Sequence, residues 1–170
     1  MKKTISIVAM LLSTIGFCQA ALAGGDTVYI NQSAPYVNAR TIAKAILDEC
    51  DLPLQQSELI AQLANEKGIM VVRDNEAVKA GKGRVLQVEI TSAMSGGNAF
   101  IGHRKQVSVQ GRLFENGIEI GDFIGIRSSM GGAFGGFKGS CSVLGRCVKT
   151  LAEDISAWLQ NPAKDSRIGE

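Results

Sequence analysis

The residues that could do chemistry are few, and their types narrow the choices. His103 is the only histidine, and it is followed by Arg104 and Lys105. A serine hydrolase would need it as the base for Ser92, Ser95, Ser128 or Ser129. Cationic neighbours depress an imidazole pKa instead of sustaining a carboxylate-backed base. The phosphate-binding pattern G-x-x-x-x-G-K-[ST], the nucleophile elbow G-x-S-x-G and S-x-x-K do not occur. The carboxylate pairs Asp48/Glu49 and Glu153/Asp154 lie among basic residues in helical stretches, as exposed faces do. No CxxC is present, so a metal site is a poor reading, and no cofactor is expected. The residues therefore point to binding and not to catalysis.

Four cysteines remain to be placed. Cys18 falls in the amino-terminal apolar segment. Cys50, Cys141 and Cys147 follow it, an odd number for pairing within one chain. Two cysteines six residues apart in a regular helix stand ~9 Å apart along its axis on different faces. A bond needs Cα atoms within ~7 Å. A Cys141–Cys147 bond thus requires an irregular segment at Gly139 to Gly145, and the competing pair is Cys50 with one of the two. A Cys50 left unpaired would be free to cross-link two chains.

Glycine is the compositional outlier, with 20 in 170 residues against an average near 7%. Two glycine-rich segments resemble each other. Residues 92–102 (SAMSGGNAFIG) and 128–138 (SSMGGAFGGFK) both read S-x-M, Gly-Gly, Ala-Phe, a glycine, then a basic residue. Both follow alternating runs. In an antiparallel meander they would emerge as loops at one end of the sheet, where the last helix also begins. Glycine-loop amides and a helix N-terminus make an anion-binding concavity. The expected binding surface is Met94, Gly96, Gly97, Phe100, His103, Arg104, Met130, Gly131, Gly132, Phe134, Phe137 and Lys138, with Lys105 nearby. Its ligand would be an envelope protein or a small anion. The competing readings are that the glycines serve bulges, turns and close helix–sheet packing, or that the loops insert into a partner or a membrane.

The elements that must carry these residues are read from periodicity. Residues 26–32 form a first strand. Asn38 starts a helix over 38–49. A second helix runs from Pro53 to Gly68, then a strand over 69–72 and a polar connector over 74–83. Residues 84–91 and 106–114 alternate, and Asn116-Gly117 marks a hairpin into a strand over 118–128. Leu144, Cys147, Val148, Leu151, Ile155, Trp158 and Leu159 share one helical face. This order gives an α/β (α+β) two-layer sandwich, a mixed sheet of about five strands with helices on one face. Polar alternates Gln87, Glu89, Gln106, Ser108 and Gln110 place water against the other face.

The first residues have the grammar of a secretory signal. Lys2 and Lys3 precede an apolar run over 5–17, and Ala21-Leu22-Ala23 ends it. The run is short of the ~20 residues of a spanning helix. The expected organisation is a signal peptide over 1–23, a single domain over 24–162 and a polar tail over 163–170. Bulky Phe17 before Cys18 disfavours lipid anchoring there. A bacterial periplasm is the expected address, which favours disulfides. Without Lys2 and Lys3, sixteen basic residues face sixteen acidic ones. That balance argues against nucleic acid as a partner.

The export signal, the early strand and helix, the hairpin, the segment GGAFGGFKGSCSVLGRC and the closing amphipathic helix together resemble small exported bacterial proteins. These in turn look like distant relatives of envelope α/β domains such as the amino-terminal domain of TolB and the curli-secretion lipoproteins. The resemblance implies an envelope-associated accessory or binding role, and carries no functional residues with it. The rival readings are a self-assembling, homo-oligomeric envelope component and a hydrolase using His103.

Overall fold

Leu144, Cys147, Val148, Leu151, Ile155 and Trp158 recur at helical spacing, and in the computed structural model of the chain they are the buried stripe of one 19-residue helix. The structure describes residues 27–98, 102–129 and 139–169. The helix, Ser140–Trp158 (α4), packs on a six-stranded sheet beside Leu52–Glu66 (α2). The strands are Val28–Ile30 (β1), Val71–Arg73 (β2), Arg84–Asn98 (β3), Gly102–Glu115 (β4), Ile118–Ser129 (β5) and Ser166–Ile168 (β6). Two shorter α-helices are Lys44–Glu49 (α1) and Asn75–Ala80 (α3).

The sheet order is β2-β1-β3-β4-β5-β6. β1 is parallel to both its neighbours, β3–β4–β5 is the expected antiparallel meander, and β6 is parallel to β5. Asn116 and Gly117, both at positive φ (49° and 82°), make the turn between β4 and β5. The two-layer α/β sandwich is as expected, with one strand more than the alternation showed.

That extra strand lies in residues 163–170, expected as a polar tail. Phe123 pairs with Ser166 and Gly125 with Ile168. Trp158 Nε1 donates to Ser166 Oγ at 3.0 Å, and the Asp165 amide donates to Asp122 Oδ1 at 3.0 Å. Three residues with a single large apolar side chain are too short to show a period.

Two further expectations need correction. The helix expected over 38–49 is interrupted. Asn38 does cap, its side chain accepting from the Arg40 amide, but it caps a single 3-10 turn, Ala39–Thr41. Ile42 is extended, and α1 restarts at Lys44. β-Branched Thr41 and Ile42 weaken helix continuation, and Ile42 is buried in the core instead. The polar connector over 74–83 contains α3. Asp74 caps it by accepting from the Glu76 and Ala77 amides at 2.8 and 3.1 Å, and Gly81 ends it in the left-handed region.

The core fills the space between α2, α4 and one sheet face. Gln56 sits in it with no exposure, and neither amide atom has a hydrogen-bond partner among the described residues. An unsatisfied buried amide costs about 1–3 kcal/mol. Gln56→Met, close in shape and apolar, is therefore expected to raise the urea midpoint at unchanged slope. An unchanged or lower midpoint would show that the amide is satisfied in solution.

The β2 edge is closed by a side chain. Asn65, near the end of α2, accepts from the Val71 amide and donates to the Val71 carbonyl, both at 3.1 Å. It occupies outward-facing backbone groups that another strand would need.

Candidate functional site

The expected surface lies at the end of the meander remote from Asn116-Gly117. β3 and β5 both run toward it, and α4 starts there. The first glycine segment is not an open loop. Ser92 to Asn98 continue β3 and pair with Gly102 to Ser108 of β4, after a bulge between Ile90 and Ser92. Gly96 lies opposite Arg104 and Gly97 opposite His103. Glycines weaken a strand without preventing its ladder, and the bulge restores alternation beyond it. Met94 is 53% exposed and Arg104 is exposed. Phe100, Met130, Gly131, Gly132, Phe134, Phe137 and Lys138 lie outside the described residues.

Parity along β4 decides where the basic run points. Lys105, Val107 and Val109 share a face, and that face looks at the helices. Lys105 is accordingly only 6% exposed, while its neighbour Arg104 faces outward. Lys105 Nζ donates to Ser95 Oγ at 2.7 Å, and Ser95 Oγ lies 3.0 Å from Ser140 Oγ in the first turn of α4. β3, β4 and α4 thus meet through three polar side chains. α4 has no side-chain cap at Gly139. Beside the cluster is a cavity of about 190 Å³, with Ser95 and Ser140 on one wall. Ala43, Ala45 and Ile46 form an apolar wall, and Glu49 stands at its exposed rim.

A disulfide also lines this cavity and holds α1 to α4. It joins Cys50 and Cys141, with Cα atoms 5.0 Å apart. Of the open alternatives, the bond through Cys50 is the one formed. Cys141 and Cys147 lie in one regular helix, which keeps them apart. The expectation that Cys50 could cross-link two chains is overturned, because its sulfur is already bonded. Among the described residues the free thiol is Cys147, which is buried.

Burial pushes the Cys147 thiol above its ordinary range, outweighing the opposing charge of Arg146. Burial, then the negative charge of Asp51, raises the Tyr36 phenol. Both groups are held neutral by the fold. Their stabilising contribution is complete below their ordinary pKa values and lost as pH rises through the raised ones. Unfolding free energy is therefore expected to be level near neutrality and to fall above about pH 9. The fall should be shallower in Cys147→Ala, followed by urea unfolding between neutral and alkaline pH. An equal slope in both proteins would refute the assignment of part of it to Cys147.

Arg127 of β5 and Asp154 of α4 form a two-point ion pair, with both N–O distances 2.9 Å. It ties the helix to the sheet below the candidate end. The carboxylate accepting two hydrogen bonds raises the Arg127 pKa further, so this guanidinium stays charged. Among the described residues no group of acidic, histidine or cysteine side chains could hold a metal ion. No described helix is long and apolar enough to cross a membrane.

No family model matches the chain, and no curated protein matches it. Several solved structures are similar in outline. The PelC dodecamer from Paraburkholderia phytofirmans is 18% identical over 78% of this chain and 90% of that one, with a TM-score of 0.49. A minor lipoprotein from Acinetobacter baumannii is 13% identical over 79% and 92%, at 0.47. Lipoprotein GNA1162 from Neisseria meningitidis is 13% identical over 78% and 99%, at 0.43. None of the three is the TolB domain or a curli-secretion lipoprotein. At these values the likeness assigns neither a family nor a function.

Proposed function

We propose that the chain is an exported accessory domain of the bacterial envelope, residing in the periplasm, which binds a partner through the end of the sheet formed by the β3–β4 hairpin, the end of β5 and the start of α4. The observation that carries this reading is the Cys50–Cys141 bond, which braces that end and belongs to an oxidising compartment. Beside it, Met94 and Arg104 are presented outward on a paired and ordered ladder. The activity is binding and not catalysis. Self-assembly remains the second reading, and two observations count against routes to it. Asn65 closes the β2 edge, and the described cysteines offer no accessible thiol.

Intact mass of the protein recovered from the cell envelope, with and without reductant, tests the export and disulfide parts together. The expected species begins at Gly24 and gains two hydrogens on reduction. A species retaining residues 1–23, or one with no mass change on reduction, would overturn the reading.

A further inference from the structure

The Lys105 ammonium is buried without a counter-ion. It is 6% exposed, its hydrogen-bond partner is a neutral hydroxyl, and no carboxylate lies within ion-pair distance among the described residues. Burying a charge is costly unless it is paired. Lys105 can only donate, so Ser95 accepts there, and either hydroxyl can donate in the Ser95–Ser140 bond. The hydrogen-bond chain ends at the wall of the 190 Å³ cavity, next to the first turn of a long helix that has no side-chain cap among the described residues.

The sequence around this end gives an independent indication. Residues 90–108 and 126–146 contain no Asp or Glu, while they carry Arg104, Lys105, Arg127, Lys138 and Arg146. Apart from Lys2 and Lys3 the chain is balanced in charge, so the exclusion of acidic residues is local to these two segments. The cavity's one carboxylate, Glu49, comes from α1, outside them.

We infer that this cavity binds a carboxylate attached to a small aliphatic group, as at the C-terminus of a peptide ending in a small apolar residue. Ser140 and the α4 amides receive the carboxylate, and Lys105 compensates its charge through Ser95. Ala43, Ala45 and Ile46 receive the aliphatic part. Glu49 at the rim selects a single negative charge over a phosphate dianion. The inference rests on the proposed binding role of this end of the sheet and names the chemistry recognised there.

The test is an NMR titration of the disulfide-bonded mature chain, read at the amides of Ser140, Cys141 and Ser142. Three probes are compared: acetyl-Ala-Ala with a free carboxylate, the same dipeptide as its C-terminal amide, and inorganic phosphate. The carboxylate is expected to bind with at least about tenfold preference over the amide, the worth of one charge-assisted hydrogen bond. Ser140→Ala should reduce that affinity by a similar factor, and Lys105→Met should abolish it. Should Lys105→Met fail to fold, Ser140→Ala and Ser95→Ala carry the test alone. Equal affinity for the amide, tighter binding of phosphate, indifference to Ser140→Ala, or no shift with any probe would each overturn the inference. Such a failure leaves the broader reading standing if the sheet end still contacts a partner in cells.

Discussion

Reducing the Cys50–Cys141 bond should lower the unfolding free energy by about 4 kcal/mol. The bond spans 91 residues, so it constrains a large share of the unfolded chain. In the chain-entropy account a loop of this size is worth about 4 to 5 kcal/mol. At about 2–4 °C per kcal/mol for a domain of this size, the melting temperature should drop by roughly 10–15 °C. The effect should be reproduced by Cys141→Ser. Thermal and urea unfolding with and without a phosphine reductant provide the measurement. A loss under about 1 kcal/mol would mean that the unfolded chain keeps these segments together without the bond. The loss also has a functional side. Without the bond, α1 is no longer tied to α4, and the cavity between them loses a wall.

Gly111→Ala is expected to be the most damaging small substitution in the sheet. Gly111 lies opposite Phe123 across the β4–β5 ladder, on the face that meets the helices. A methyl group there would overlap the Phe123 ring. That ring cannot easily swing away, because it packs edge-on against Trp158 with centroids 4.9 Å apart. Overpacking of this kind costs about 1–3 kcal/mol. The double variant Gly111→Ala/Phe123→Leu should recover part of the loss, since the ring is what the methyl meets. The coupling is read from a double-mutant cycle in urea. Strict additivity would show that the penalty comes from the backbone and not from the ring.

β3, β4, β5 and α4 were legible because each spans enough residues for a period of 2 or 3.6 to repeat. β6 and α3 were not, since 3 and 6 residues give almost no period. Asp74 before Asn75-Glu76 was a capping signal that could have revealed α3. The glycines had two roles that composition cannot distinguish. Gly111 admits an aromatic ring, whereas Gly96 and Gly97 simply continue a ladder. At the candidate site, Arg104 was expected in the binding surface, and it is exposed. Lys105 could have been assigned to the buried face by its parity with Val107 and Val109. Its contact with Ser95 and Ser140 depends on register and on where α4 docks, and neither is written in local sequence. The disulfide was open for the same reason: spacing could disfavour Cys141 with Cys147, but only the fold brings Cys50 alongside.

The central claim is that one end of the sheet meets a partner. Photo-crosslinking in living cells tests it, with the crosslinking amino acid placed at Met94 in one protein and at Ile118 in another. Both positions are well exposed, at 53% and 71%, and the β3–β4–β5 register puts them at opposite ends of the sheet. A discrete adduct from position 94 and none from position 118 is the expected result. Equal adducts at both positions, or adducts from position 118 alone, would contradict the claim.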